Sequence, residues 1–149
     1  MTRWDVLPDK YKDQMPKKNN VKVSGDGEKE AKLVIPGELP TMNEIINISK
    51  THWAKYKKMK DEWTGIVVLY ASQQEIPAFE AVELDITYYR SNKRVDPDNL
   101  CAAKKIILDG LQEAGVLEND GWKEVKGFQE KWQVDKDNPR TEIIIKESE

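Results

Sequence analysis

The chain has 149 residues, a formal net charge of −3, one histidine and one cysteine. That length suits one domain around a single core. With only Cys101 and His52, an internal disulfide is excluded and a zinc site or a Cys/His nucleophile pair has almost no raw material, so any metal chemistry must run on carboxylates. No apolar run approaches the ~18 residues of a membrane span, and the N-terminus lacks the apolar core of a secretory signal. The expectation is a cytoplasmic protein with no membrane partner.

Residues 1–30 are polar and charged, with Pro8, Pro16, Lys17-Lys18-Asn19-Asn20 and Gly25-Asp26-Gly27. They read as an N-terminal extension, loosely ordered, with Trp4 or Val6 as docking points; Tyr11 among lysines offers a contact for an anionic partner, but the plainer reading is a mere tail. The domain proper is expected over residues 31–149. Lys32-Leu33-Val34-Ile35 is a short strand that stops at Pro36-Gly37. Thr41 with Glu44 three residues later is a capping box, and Asn43 falls in the first helical turn it opens.

From about Thr51 to Ser72, Trp53, Tyr56, Met59, Trp63, Ile66, Val67 and Tyr70 recur at three- and four-residue steps. This is one face of an amphipathic helix, with the aromatic stripe expected in the core. Ala81 to Tyr89 alternates, with Val82, Leu84, Ile86 and Tyr88 on one face, as in a half-exposed strand. A helix after Pro97 buries Leu100, Ala103, Ile107, Leu111 and Ala114, and Gly115 ends it in a left-handed conformation. Trp122 to about Val134 is a strand with Phe128, Trp132 and Val134 on one face and a bulge marked by Gly127. Asn138-Pro139 then turns the chain, and Thr141 to Lys146 returns to complete a hairpin. The fold class expected is α+β: a small mixed or antiparallel sheet packed against two main helices.

Three carboxylates, Asp96, Asp98 and Asp120, sit where the chain changes element. Two readings compete. Asp96 can cap the helix, with Pro97 at the first helical position, acids suiting the dipole, and Asp120-Gly121 as a common turn. Alternatively, these oxygens can hold a hard divalent cation, which activates water against a phosphodiester. Two basic clusters flank the acids: Lys55, Lys57, Lys58 and Lys60, and Arg90, Lys93 and Arg94. They read either as a cationic rim for phosphates or as a solvated helix face and a charged loop.

The string Arg94-Val95-Asp96-Pro97-Asp98-Asn99-Leu100, with Lys104-Lys105-Ile106-Ile107-Leu108-Asp109-Gly110-Leu111, Ala114-Gly115 and Asn119-Asp120, resembles the RusA family of Holliday-junction resolvases, its phage and prophage branch especially. The likeness is dense over residues 94–122, looser from about Lys32 onward, and leaves the first thirty residues without a counterpart. It implies a homodimeric, magnesium-dependent endodeoxyribonuclease (manganese as a substitute ion) that resolves four-way junctions in DNA recombination and repair, in a bacterial or phage setting. It implies that Asp96, Asp98 and Asp120 bind the metal and that a helix lysine is catalytic. The stretch from Asp98 to Asp109 is longer than in the best-known members, so counting forward gives Ala102 and counting back gives Lys105. At about 100° per residue, Asp98, Lys105 and Asp109 share one helix face, which selects Lys105; its plainer role is an i, i+4 salt bridge to Asp109. Asn43 matches a recurrent family asparagine, and Asn119 stands where many members carry an aspartate.

A helix from Asp98 to Ala114 would be about 24 Å long, while the chain from Ala114 to Asp120 reaches only about 20 Å. Asp120 therefore rejoins Asp98 within one chain only if the helix is late, bent or short; otherwise it serves the partner in a two-fold dimer.

Overall fold

The computed structural model describes residues 21–23 and 29–149; Trp4, Val6 and Tyr11 lie outside the described residues. A five-stranded mixed sheet forms one layer and helices form the other. The strands are β1 (Val21–Val23), β2 (Lys29–Pro36), β3 (Val82–Arg90), β4 (Val125–Val134) and β5 (Arg140–Glu147), in the spatial order β1-β2-β5-β3-β4. All neighbours are antiparallel except β3 and β4, which run parallel because a helical crossover joins them. The first strand starts ahead of residue 31, so the sheet takes in part of the stretch expected to be an extension.

The helices are α1 (Met42–Thr51), α2 (Trp53–Gln73), the single turn α3 (Pro97–Leu100) and α4 (Lys104–Glu113). Val82, Leu84, Ile86 and Tyr88 of β3, Leu33 and Ile35 of β2 and Ile143 and Ile145 of β5 are buried under α2 and α4, which contribute Val67, Tyr70, Ile107 and Leu111. The alternating partners on these strands are exposed or half-buried, the sorting that a sheet covered on one face requires. Thr41 opens α1 with the capping box: its hydroxyl accepts from Glu44 N–H, and Glu44 accepts from Thr41 N–H.

Three expectations need correction. The strands on either side of Asn138-Pro139 do not form a hairpin, since β3 lies between β4 and β5. Thr141, Ile143 and Ile145 are buried, which suits the interior position, whereas the Lys-, Gln- and Glu-rich β4 takes the edge. The connecting loop crosses the end of β3, where Asp135 N–H donates to Arg90 C=O at 2.8 Å and the Arg140 guanidinium binds Asp135 and Glu142.

The helix after Pro97 is not uniform, since a 3-10 turn at Cys101–Ala103 separates α3 from α4. The aromatic stripe is core only in its second half. Ile66, Val67 and Tyr70 are buried, but Trp53 is 69% exposed, and Tyr56 and Met59 line a groove with Met42, Ile45 and Phe128.

Candidate metal and nucleic-acid site

Strand β3 delivers the chain into the loop of residues 91–96 and so to Asp96, the residue before α3. Asp96 has extended backbone geometry (φ −70°, ψ 149°), but its carboxylate makes no capping hydrogen bond. The capping alternative for that side chain is not realised. Asp96 is exposed and lines a cleft of about 360 Å³ with Arg90, Lys93, Leu100, Trp132 and Val134. Asp98, also exposed, sits in the first turn of α3, where its charge suits the helix dipole.

Asp120 is placed differently. Gly115 (φ 77°) turns the chain back after α4, and the N–H groups of Val116 and Leu117 both donate to Leu111 C=O. With Val116 and Leu117 buried as anchors, the loop returns to α4 and sets Asp120 Oδ2 3.1 Å from Lys105 Nζ. Lys105 also meets Asp109 Oδ1 at 2.9 Å, and Asp109 Oδ2 meets Lys60 Nζ at 3.4 Å. The result is an alternating chain, Lys60–Asp109–Lys105–Asp120, that ties α2 and α4 to the return loop. Hydrogen bonds to Asp109 first, then to Asp120, push the Lys105 pKa up. Its ammonium, in turn, holds the Asp120 carboxyl below the usual range.

The turned-back path brings Asp120 to Lys105, and the helix is late and interrupted, with α4 starting at Lys104 after the 3-10 turn of Cys101–Ala103. Among the described residues, no three His, Cys, Asp or Glu side chains are grouped so as to hold a metal ion. Asp96 and Asp98 nevertheless fit a hard cation by their chemistry, since magnesium is commonly held by one or two carboxylates with waters and substrate phosphate completing its shell.

The cationic residues divide into two groups. Arg90 is occupied, with Nη2 3.4 Å from Glu38 Oε2 and Nη1 donating to Leu39 C=O. Lys60 is occupied by Asp109. Lys93, Arg94, Lys55, Lys57 and Lys58 are exposed, Lys58 with only a 4.0 Å contact to Glu62 and Lys57 lying 5.8 Å over the Trp53 ring. Asn43 is exposed on the first turn of α1, His52 at the α1–α2 junction and Asn119 one residue before Asp120.

The structure adds a polar cluster that sequence reasoning missed. Glu130 of β4 accepts from Tyr88 Oη at 3.0 Å and from Lys104 Nζ at 2.7 Å, and Lys104 lies 4.9 Å over the Phe128 ring. Burial would raise the Glu130 pKa, but bonds from Lys104, Cys101 and Tyr88 outweigh it and hold the pKa low. Burial, then Glu130, pushes the Tyr88 hydroxyl and the Cys101 thiol up. The available signal was that Glu130 shares a strand face with Phe128 and Trp132.

No protein-family model matches the sequence, and a search of curated proteins gives no match. Among the described residues, no helix is long and apolar enough to cross a membrane.

Proposed function

We propose that this chain is a magnesium-dependent endonuclease for branched DNA, with four-way junctions the foremost substrate, acting as a homodimer similar to the RusA resolvases. The observation that carries the reading is the cleft in which the Asp96 carboxylate, making no capping bond, lies beside exposed Lys93. Acid oxygens next to cations, at the rigid junction of a strand and a helix, match the demands of phosphodiester hydrolysis.

Asp96 and Asp98 would hold the metal ion, which supplies an activated water and charge stabilisation at the leaving oxygen. Exposed Lys93 and Arg94 would fix the backbone phosphates on either side. Lys105 would neutralise phosphate charge as it develops. Asp120 would complete the site by leaving Lys105 or by serving the partner subunit. Mixing Asp96→Asn with Asp120→Asn protein distinguishes these routes, because activity returns only where the carboxylates act across the subunit boundary.

The test is nicking of a synthetic four-way junction, with flaps and forks alongside. Nicking should require magnesium or manganese, stop with a chelator, and fall at least about 100-fold in Asp98→Asn while junction binding persists. Metal-independent nicking, or full activity in Asp98→Asn, would overturn the proposal. A second reading, a catalytically silent DNA-binding protein, is favoured by Asn119 and by the lengthened stretch from Asp98 to Asp109. Junction binding without nicking in either metal would establish it.

A further inference from the structure

Trp132 stands out on β4. It is level with Tyr88 of β3 across the parallel pair, so its position is fixed by the sheet, yet it is 48% exposed. Val134, two residues on and on the same face, is 46% exposed. Burying such side chains ordinarily stabilises a fold, and an exposed apolar patch rimmed by charge commonly marks a binding surface. Trp132 lines the cleft that holds Asp96, Arg90 and Lys93, with Arg94 exposed one residue beyond Lys93. The cleft's volume, about 360 Å³, is within the range of sites that take small planar groups.

An aromatic face beside exposed cations is how proteins bind nucleic-acid strands whose bases are not stacked: cations track the phosphates and the ring takes a base. Duplex DNA keeps every base between two neighbours, whereas opening a four-way junction, whose arms otherwise stack in coaxial pairs, exposes the terminal base pairs of the arms. We propose that Trp132 is a stacking platform for a nucleobase at the branch point, next to the phosphate held at Lys93 and Arg94. The inference rests on the reading of the chain as a branched-DNA nuclease and names the feature that would separate branched from duplex substrates.

The experiment compares wild type, Trp132→Ala and Trp132→Phe on a junction carrying 2-aminopurine beside the branch point and on a duplex of the same sequence. Calcium replaces magnesium for binding, and nicking is then measured in magnesium. Wild type should change the 2-aminopurine emission on binding. Trp132→Ala should lose that change and bind the junction roughly 5- to 150-fold more weakly, the range for loss of one base–aromatic stack, with duplex binding retained. Trp132→Phe, which keeps a ring, should recover most of the junction affinity, and matching thermal melts would show that all three fold. Unchanged junction affinity and emission in Trp132→Ala, while wild type nicks normally, overturns the stacking platform alone. So does an equal loss on junction and duplex. Wild-type protein that neither binds nor nicks the junction removes the nuclease reading and this inference with it.

Discussion

Lys105 Nζ stands 2.9 Å from Asp109 Oδ1 and 3.1 Å from Asp120 Oδ2, so one ammonium joins a helix to the loop that turns back over it. The Asp120 pKa is depressed, so its share of stability is present above the unfolded value near 3.9 and is lost as pH falls through the lower folded value. The Lys105 pKa is raised, so its share is present below about 10.4 and is lost as pH rises through the higher folded value. The Lys105 side chain is 62% exposed, and water screens the pair to about 1 kcal/mol or less. Lys105→Met should therefore melt lower than wild type by a constant margin between about pH 5 and pH 9, and the margin should shrink in strong acid. Melting curves across pH check this; a margin as large at pH 2 as at pH 7 would exclude the ion pair as its source.

Gln74 meets strand β2 as though it were another strand. Its Nε2 donates to Val34 C=O and its Oε1 accepts from Val34 N–H, both at 2.9 Å, and the residue is 1% exposed. Removing the amide leaves two backbone groups without partners, at about 1–3 kcal/mol for each unsatisfied buried group. Gln74→Leu should unfold at clearly lower denaturant concentration than wild type while keeping the wild-type circular-dichroism spectrum under native conditions. Equal stability of the two proteins would show that water replaces the amide.

The legible parts of this fold are those that local physics determines. Val82, Leu84, Ile86 and Tyr88 announce β3 because a sheet covered on one face sorts side chains with period two. Thr41 and Glu44 announce α1 because the capping bonds span only three residues. The strand order is not legible in this way. A short turn between β4 and β5 favours a hairpin locally, yet β5 is drawn to the centre because Thr141, Ile143 and Ile145 need cover on both sides.

The site divides along the same line. Lys105 with Asp109 follows from helix spacing, but Asp120 joins them only through the return path set by Gly115 and Leu111. For Trp132 the alternation gives the face and not whether a helix covers it, because cover is a property of the whole packing.

Gly110 lies where α4 packs directly on Val67 and Thr64 of α2. A methyl group there would fall on the Val67 side chain, with Thr64 C=O 3.4 Å away. Val67 is fully buried and has no open space to move into. Gly110→Ala gains helix propensity but overpacks the crossing, and it should destabilise the protein by about 1–3 kcal/mol. Val67→Gly in the same chain should recover part of that loss, since it removes both the Cβ and the Cγ1 that the new methyl group meets, whereas alanine would leave that Cβ in place. Denaturant titration of the two single variants and the double gives the coupling; additive losses would mean that the helices separate instead of clashing.

If the chain binds branched DNA as proposed, its cationic residues should separate by whether they already have a partner. Lys93, Arg94, Lys55 and Lys57 are exposed, whereas Arg90 is held by Glu38 and Leu39 and Lys60 by Asp109. Each exposed cation that neutralises a phosphate on binding releases a counterion, so its replacement by alanine should weaken DNA binding and reduce the salt slope by about one. Arg90→Ala and Lys60→Ala should instead lower the melting temperature and leave that slope intact, because those charges are already neutralised by the protein. The measurement is junction affinity from low to moderate salt for all six variants. A slope reduced by Arg90→Ala as much as by Lys93→Ala would mean that DNA displaces Glu38, and the Glu38–Arg90 contact would then be a gate in the site.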